Sequence, residues 1–282
     1  MKKIFWPSLI FLLLSISGIC AYFYYQNKPV FGASEYFVDS NKNTLSNTES
    51  STIHNNQPAV RVPILVYHSV RPYFVGESNS IKVYDVDPIV LEKQLEYLKL
   101  MGYTSISFDD LVNYFNGKKL PDKPVIISFD DGLETQYINA FPILKKENMK
   151  ATFFIFSNAI GHKTFLTWDQ VRELADAGME IGGHSKSHPR LWKISDPAQL
   201  KIEIVDSKKI IEDHIGKTIN AFAYPFGLYS PITIGEIKAA GYTSARTLFE
   251  KMTHTKDELY TLHSVLVSND MKRFEGVLKH VK

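Results

Sequence analysis

The chain has 282 residues, of which 44% are hydrophobic and 22% charged, with a formal net charge of +2. This is enough for one sizeable core of about 220 residues, so a single domain is sufficient. The small net charge, without any basic run, argues against a nucleic acid as partner. The only cysteine, Cys20, lies in an apolar N-terminal segment, which excludes an intrachain disulfide and a cysteine-based metal site.

The N-terminus has the pattern of a targeting segment. Lys2 and Lys3 precede an uncharged apolar stretch, residues 4–25, that is long enough to cross a bilayer. We therefore assign residues 1–27 to a signal peptide or membrane anchor, with retention and cleavage both open. Positive charge before the stretch places the remainder of the chain outside the cytoplasm, anchored or secreted. Residues 28–60, rich in Ser, Asn and Thr, are predicted to be a flexible polar linker.

Apolar strand patterns alternate with helical patterns over the rest of the chain, residues 61–282, which we assign to one catalytic domain. The predicted strands are 62–68, 103–107, 124–129, 151–156, 179–183, 220–224, 242–246 and 261–267. The predicted helices are 88–101, 109–116, 134–147, 168–177, 197–215, 231–240 and 270–280. This alternation predicts an α/β fold with a parallel β/α barrel, either regular or distorted. In such barrels the functional residues lie at the C-terminal ends of the strands.

Two adjacent carboxylates, Asp130 and Asp131, follow the apolar strand 124–129. Adjacent side chains diverge where a strand ends, so one carboxylate can bind a cation while the other acts as a general base. We predict Asp131 as the ligand and Asp130 as the base. The run Ser-Phe-Asp-Asp, residues 128–131, also occurs earlier at residues 107–110. An amphipathic pattern follows that earlier copy, so we predict that it is a helix N-cap.

The second candidate group is His184 and His188, four residues apart and preceded by Gly182 and Gly183. On a helical turn this spacing would place both imidazoles within reach of one ion. The glycines would allow close backbone approach. A pair of histidines alone is weak evidence, but its occurrence together with the aspartate pair predicts metal-assisted hydrolysis.

These motifs resemble those of a known family. The runs 129–132 (Phe-Asp-Asp-Gly), 184–188 (His-Ser-Lys-Ser-His) and 223–227 (Ala-Tyr-Pro-Phe-Gly) look like the first three motifs of the polysaccharide deacetylases with NodB homology, carbohydrate esterase family 4. The resemblance covers residues 60–282. The run 63–68 (Pro-Ile-Leu-Val-Tyr-His) is similar, more narrowly, to the branch that deacetylates poly-β-1,6-N-acetylglucosamine, the biofilm adhesin.

The resemblance implies a distorted barrel of the NodB-homology type and a set of residue roles. Asp130 resembles the family's base, and the metal triad would be Asp131, His184 and His188. The backbone N–H of Phe226 resembles the oxyanion donor. The reaction implied is removal of N-acetyl groups from an N-acetylglucosamine polymer, with one divalent metal, by default Zn²⁺, although this ligand set also serves iron.

The chain also departs from the family pattern. Ala223 stands where the third motif usually carries an arginine, and Arg246 and Arg71 are the candidate substitutes. A fourth Asp-x-x-Asp-Trp motif is missing from the sequence, which leaves the general acid open between His68 and His263. We favour His68, because it ends its predicted strand whereas His263 falls early or midway in its own.

Aromatic residues near these motifs could stack on sugar rings. We include Trp192, Tyr224, Pro225 and Phe226 in the predicted substrate site, whereas Trp168 has the position of a helix-start packing residue. We expect a monomer whose partners are the polysaccharide and, through the N-terminal segment, the membrane.

Three other functions compete with the preferred one. Peptidoglycan, chitin or xylan deacetylation would use the same catalytic residues. A polysaccharide-binding module could keep the fold without turnover, which the missing arginine favours and the spare carboxylate argues against. A phosphoesterase with two metals would need more ligands than the sequence offers.

Overall fold

The computed structural model describes residues 57–74, 76–78 and 82–279. The predicted anchor or signal peptide, residues 1–27, and the linker up to residue 56 lie outside this part. Within it, no helix combines the length and the apolar character needed to cross a membrane. The last linker residue, Val60, already belongs to a short strand.

The core of the fold is a curled parallel sheet that forms a half-barrel. The strands are β1 (Val60–Arg61), β2 (Ile64–Tyr67), β3 (Ser69–Val70), β4 (Asp85–Val86), β5 (Thr104–Ser105), β6 (Pro124–Phe129), β7 (Thr152–Ile155), β8 (Glu180–Gly183), β9 (Ala221–Ala223), β10 (Ser244–Arg246), β11 (Thr253–His254) and β12 (Val265–Leu266). The order in the large sheet is β10-β9-β8-β7-β6-β2-β12, and β5 pairs with β6. An isolated parallel bridge joins Arg246 to Leu262, just before β12.

All eight strands predicted from the apolar runs are present in this sheet, and each pairs in parallel. The predicted α/β barrel is therefore confirmed in its distorted form. Every residue of the central strands β2, β6 and β7 is buried, because a parallel sheet covered on both faces exposes neither side. The pairs β1–β11, which is antiparallel, and β3–β4, which is parallel, were not predicted.

Helices follow the strands as the sequence predicted. They are α1 (Pro88–Leu100), α2 (Phe108–Phe115), α3 (Phe141–Glu147), α4 (Trp168–Asp176), α5 (Pro197–Lys201), α6 (Ser207–Ile215), α7 (Pro231–Ala239) and α8 (Met271–Lys279). Two predicted helices contain a π-helical turn that the sequence pattern did not reveal. These turns are Gln136–Ala140, before α3, and Ile202–Asp206, between α5 and α6.

The earlier Ser-Phe-Asp-Asp copy is a helix cap, as predicted. Ser107 accepts a hydrogen bond from the backbone N–H of Asp110, whose side chain accepts one from the N–H of Ser107 in return. This capping box begins α2 and satisfies N–H groups that have no partner within the helix. The two copies of the motif therefore have different structural contexts, one starting a helix and the other ending a strand.

Candidate active site

The three predicted metal ligands converge at the C-terminal edge of the sheet. Asp131 Oδ1 lies 3.6 Å from His184 Nε2 and 3.6 Å from His188 Nε2. One ligand atom from each residue falls within 4.8 Å of the other two. Because carboxylate oxygen and imidazole nitrogen together suit Zn²⁺ and related divalent ions, these three side chains could hold one metal ion.

Asp130 and Asp131 point in different directions, as expected for neighbours at the end of a strand. β6 ends at Phe129, and Asp131 has a φ of 74°, in the left-handed region. This turn directs the Asp131 carboxylate toward the histidine pair. The Asp130 carboxylate instead pairs with Arg246.

The two histidines do not lie on a helical turn, so that part of the prediction is wrong. β8 ends at Gly183, and residues 184–188 form a loop in which Ser185 and His188 have φ values of 67° and 57°. His184 directly continues the strand. The loop reverses so that His188 returns beside it, with ring centroids 4.8 Å apart.

Gly182 and Gly183 allow close approach, but to aromatic rings of the core. A Cβ on Gly183 would lie 2.2 Å from Tyr242 Oη, and one on Gly182 would lie 2.4 Å from the Phe154 ring. Neither distance is compatible with a side chain. The glycines therefore let β8 pass between packed rings and deliver His184 to the edge of the sheet.

The surroundings of both imidazoles suit metal binding. His184 Nδ1 is 2.7 Å from the carbonyl oxygen of Ala223, which can only accept, so Nδ1 carries a proton and Nε2 is the nitrogen that faces Asp131. Burial lowers the pKa of His188 to about 4, with the nearby His184 acting in the same direction. His188 is therefore neutral at physiological pH, and the residues present fit a divalent metal ion.

Arg246 is the arginine that accompanies Asp130. Its guanidinium pairs with Asp130 Oδ1, and both side chains are almost completely buried. Burial alone would raise the pKa of Asp130, but the positive charge of Arg246 and its hydrogen bond keep this pKa below its ordinary value. The second candidate, Arg71, pairs instead with Glu77 and Asp85 at 2.7 and 2.5 Å.

His68 also belongs to this cluster. It follows β2 directly, and its Nε2 lies 3.8 Å from Asp130 Oδ2. His263 precedes β12, close to the N-terminal edge of the sheet, and its Nε2 lies 3.7 Å from Glu258 Oε1. The two histidines therefore lie at opposite ends of their strands, and only His68 is beside Asp130.

The predicted aromatic residues divide into two groups. Phe226 and Trp192 are partly exposed; the Phe226 ring lies 4.7 Å from His188 and 5.8 Å from Trp192 between centroids. Tyr224 is buried and donates its hydroxyl hydrogen to the carbonyl of Tyr260 at 2.9 Å. Pro225 is buried as well. The last two can contribute to a site only through their backbone, which stays a prediction, while Trp168 stacks on His214 in the position of a packing residue.

Sequence reasoning missed two polar residues next to the site. Gln136 is completely buried, and its amide donates hydrogen bonds to the backbone carbonyls of both His68 and Asp130. Glu203, also buried, accepts hydrogen bonds from the loop between the two ligand histidines. Both lie in π-helical turns, and nothing in the local sequence marks them.

Comparison with known proteins places this site in a family. The family model "Polysaccharide deacetylase" matches residues 117–245. The polysaccharide deacetylase YxkH of Bacillus subtilis is 33% identical over 223 residues, which cover 79% of this chain and 76% of YxkH. A Staphylococcus aureus poly-β-1,6-N-acetyl-D-glucosamine N-deacetylase is 28% identical over 257 residues, covering 84% and 88%.

The fold gives the same answer. The Streptococcus pyogenes deacetylase PplD, solved in complex with acetate, superimposes with a TM-score of 0.73 at 26% identity, covering 79% of this chain and 100% of PplD. The resemblance found in the sequence motifs is thus confirmed over most of the described residues. The chain belongs to the polysaccharide deacetylase family and is a deacetylase-type enzyme with the curled parallel half-barrel of that family.

Proposed function

We propose that the protein is a metal-dependent hydrolase that removes N-acetyl groups from an extracellular N-acetylglucosamine polymer, in the first place poly-β-1,6-N-acetylglucosamine. One observation supports this most strongly. A buried carboxylate, Asp130, lies between Arg246 and His68 and directly beside the cluster of Asp131, His184 and His188. A base, an acid and a metal site close together are the groups that amide hydrolysis needs.

In this proposal Asp130 is the general base. The Arg246 guanidinium keeps its pKa low, so Asp130 is a carboxylate over the whole physiological range. Its Oδ1 is paired with Arg246. This leaves Oδ2, on the side of His68, to accept a proton from water. Arg246 thus orients the base and takes over the part of the arginine that the third motif lacks.

Asp131, His184 and His188 would hold the divalent ion. When bound, such an ion supplies Lewis-acid chemistry, acidifying water and polarising the acetamide carbonyl. The chain's own part is to present two imidazoles and one carboxylate from a single side. Burial alone would raise the pKa of Asp131, but hydrogen bonding with His184 holds this pKa below its ordinary value, so the ligand stays anionic.

His68 is the proposed general acid. Water adds its oxygen to the acetamide carbon, Asp130 takes the water's proton, and the carbon–nitrogen bond then breaks as His68 gives a proton to the sugar nitrogen. The products are acetate and a glucosamine residue of the polymer. The backbone N–H of Phe226 is the proposed donor to the developing oxyanion.

The substrate and the location are inferred from different observations. The named activity of the S. aureus relatives supports a β-1,6-linked polymer, and Phe226 with Trp192 offers an aromatic surface for a sugar ring beside His188. The apolar segment 4–25 supports an extracytoplasmic position, either anchored or secreted. A peptidoglycan, chitin or xylan substrate remains the alternative, since it would use the same catalytic groups.

Acetate release from oligomers tests the proposal. The full chain is stripped with a chelator, reloaded with Zn²⁺ and assayed on β-1,6-linked and β-1,4-linked N-acetylglucosamine oligomers, with Asp130→Asn as control. We expect metal-dependent release from the β-1,6 series that Asp130→Asn reduces by at least about 10²-fold. Preference for β-1,4 oligomers would favour the alternative substrates. Acetate release that does not depend on the metal would refute the proposal.

A further inference from the structure

The loop that joins the two ligand histidines is held in an unfavourable backbone conformation. Ser185 and His188 both have positive φ, in the left-handed region that L-residues with a Cβ rarely adopt. Such a conformation persists only when the surroundings fix it. The position of His188 therefore depends on contacts from outside the loop.

Glu203 provides three of these contacts, more than any other side chain among the described residues. One of its carboxylate oxygens accepts hydrogen bonds from the backbone N–H groups of Lys186 (3.1 Å) and Ser187 (2.9 Å), and the other accepts the hydroxyl of Ser187 at 2.7 Å. The residue is 4% exposed. Among the described residues, no lysine, arginine or histidine forms an ion pair with it.

This arrangement is unusual for a buried carboxylate. Burial of a carboxylate is costly unless hydrogen bonds or a cation compensate for the lost water. Here the compensation comes only from the loop, so both oxygens of Glu203 are committed to residues 186 and 187. The loop and the carboxylate therefore stabilise each other.

A second side chain that holds the same loop lies directly after the π-helical turn Ile202–Asp206. Ser207, four residues after Glu203, donates its hydroxyl hydrogen to the carbonyl of Ser185 at 2.7 Å. The chain segment 203–207 thus fixes three consecutive loop residues, 185, 186 and 187. Single π turns in helices are frequently found next to functional sites.

We infer that Glu203 is a positioning residue for the metal centre: by hydrogen bonding to the loop it holds His188 next to His184 and Asp131 and so sets the affinity for the metal. The inference deepens the proposed function and depends on it. Without Glu203, the loop can relax toward more favourable φ values, and His188 then leaves its place beside Asp131. Groups that orient metal ligands typically contribute about 10-fold to 100-fold to metal affinity.

The chain contains a matched control. Glu180 begins β8, the strand that delivers His184, and also accepts hydrogen bonds from two backbone N–H groups and one hydroxyl. Its donors are Phe108 (3.0 Å), Asp109 (3.3 Å) and the Thr152 hydroxyl (2.5 Å). Loss of Glu180 removes the same kinds of hydrogen bond at the opposite end of the same strand, without touching the histidine loop.

The test measures Zn²⁺ binding to the metal-stripped full chain by calorimetry. For Glu203→Leu we expect a Kd at least about 10-fold higher than that of the wild type. Glu203→Gln keeps an acceptor for the two N–H groups and a donor for the Ser187 hydroxyl, so its Kd should stay within about threefold. Glu180→Leu should bind zinc like the wild type, even where it lowers the melting temperature.

The outcomes separate the inference from the proposed function. A folded Glu203→Leu protein with unchanged zinc affinity would overturn the inference, and so would equal weakening by Glu180→Leu. If Glu203→Leu does not fold, Glu203→Asp decides: its shorter carboxylate cannot reach both N–H groups, and an unchanged Kd would overturn the inference. Zinc binding that is absent in the wild type, or insensitive to Asp131→Asn, would instead overturn the proposed metal centre.

Discussion

Replacing Arg246 by methionine should move the pH dependence of the enzyme in a predictable direction. Arg246 and Asp130 form a buried ion pair, with side chains 0% and 3% exposed. Methionine fills similar space without charge and leaves Asp130 buried alone. Burial is the largest influence on the pKa of this carboxyl. Without the positive charge of Arg246 to offset it, burial raises the pKa of Asp130.

The size of the effect follows from Coulomb's law. Two unit charges about 4 Å apart interact by about 4 kcal/mol at an effective dielectric constant of about 20. This corresponds to about 3 pKa units. If Asp130 is the base, the acidic limb of kcat/KM should therefore move up by roughly two to three pH units in Arg246→Met.

Stability should change with pH in a matching way. In the wild type the pKa of Asp130 is lower in the folded state than in the unfolded chain, so its stabilising contribution is present at neutral pH and disappears as the pH falls through the folded-state pKa. In Arg246→Met the folded-state pKa is the higher one, and stability is lost as the pH rises through it. The variant should be less stable than the wild type by about 3–5 kcal/mol at neutral pH, and by less in acid.

Two measurements check this reasoning: acetate release between pH 4 and 9 (roughly the range in which a carboxyl of raised pKa titrates) and denaturant unfolding at both ends. Arg61→Met is the control, because within the described part of the chain Arg61 hydrogen-bonds to neutral groups, among them Tyr103 and the carbonyl of Leu278. Its acidic limb should not move. An Arg246→Met enzyme with the wild-type limb and wild-type activity would refute the role of the ion pair.

Other consequences can be tested with single substitutions. His68→Gln should lower kcat by about 10²-fold to 10⁴-fold, whereas His263→Gln should stay within about twofold, in the same acetate assay; equal effects would remove His68 as the acid. Zinc at about 100 times its Kd should stabilise the stripped protein by about 2.7 kcal/mol in thermal unfolding, and Asp131→Asn should abolish this gain. Gly183→Ala should cost about 1–3 kcal/mol, because its Cβ would lie 2.2 Å from Tyr242 Oη. Tyr242→Phe removes that oxygen, which has no hydrogen-bond partner among the residues that the structure describes, so it should recover part of the loss. A double variant no more stable than Gly183→Ala would contradict the clash.

The sequence alone predicted the parallel half-barrel and the convergence of Asp130, Asp131, His184 and His188 at its edge. Both depend on local patterns: apolar runs of strand length alternate with helical periodicity, and polar residues placed just after such runs must meet where parallel strands end. The predicted helical conformation of the histidine loop was wrong, because a spacing of four residues fits a helical turn and a reversing loop equally well.

Only the tertiary structure selected the partners of these residues. It placed Arg246 rather than Arg71 against Asp130, across 116 positions of sequence, and it placed His68 rather than His263 beside the same carboxylate. The same holds for Glu203, which contacts the histidine loop from a helix with no distinguishing pattern. Such contacts are decided by how the sheet curls and how the helices pack on it. The residues involved are far apart in the chain, so no local sequence signal contains that information.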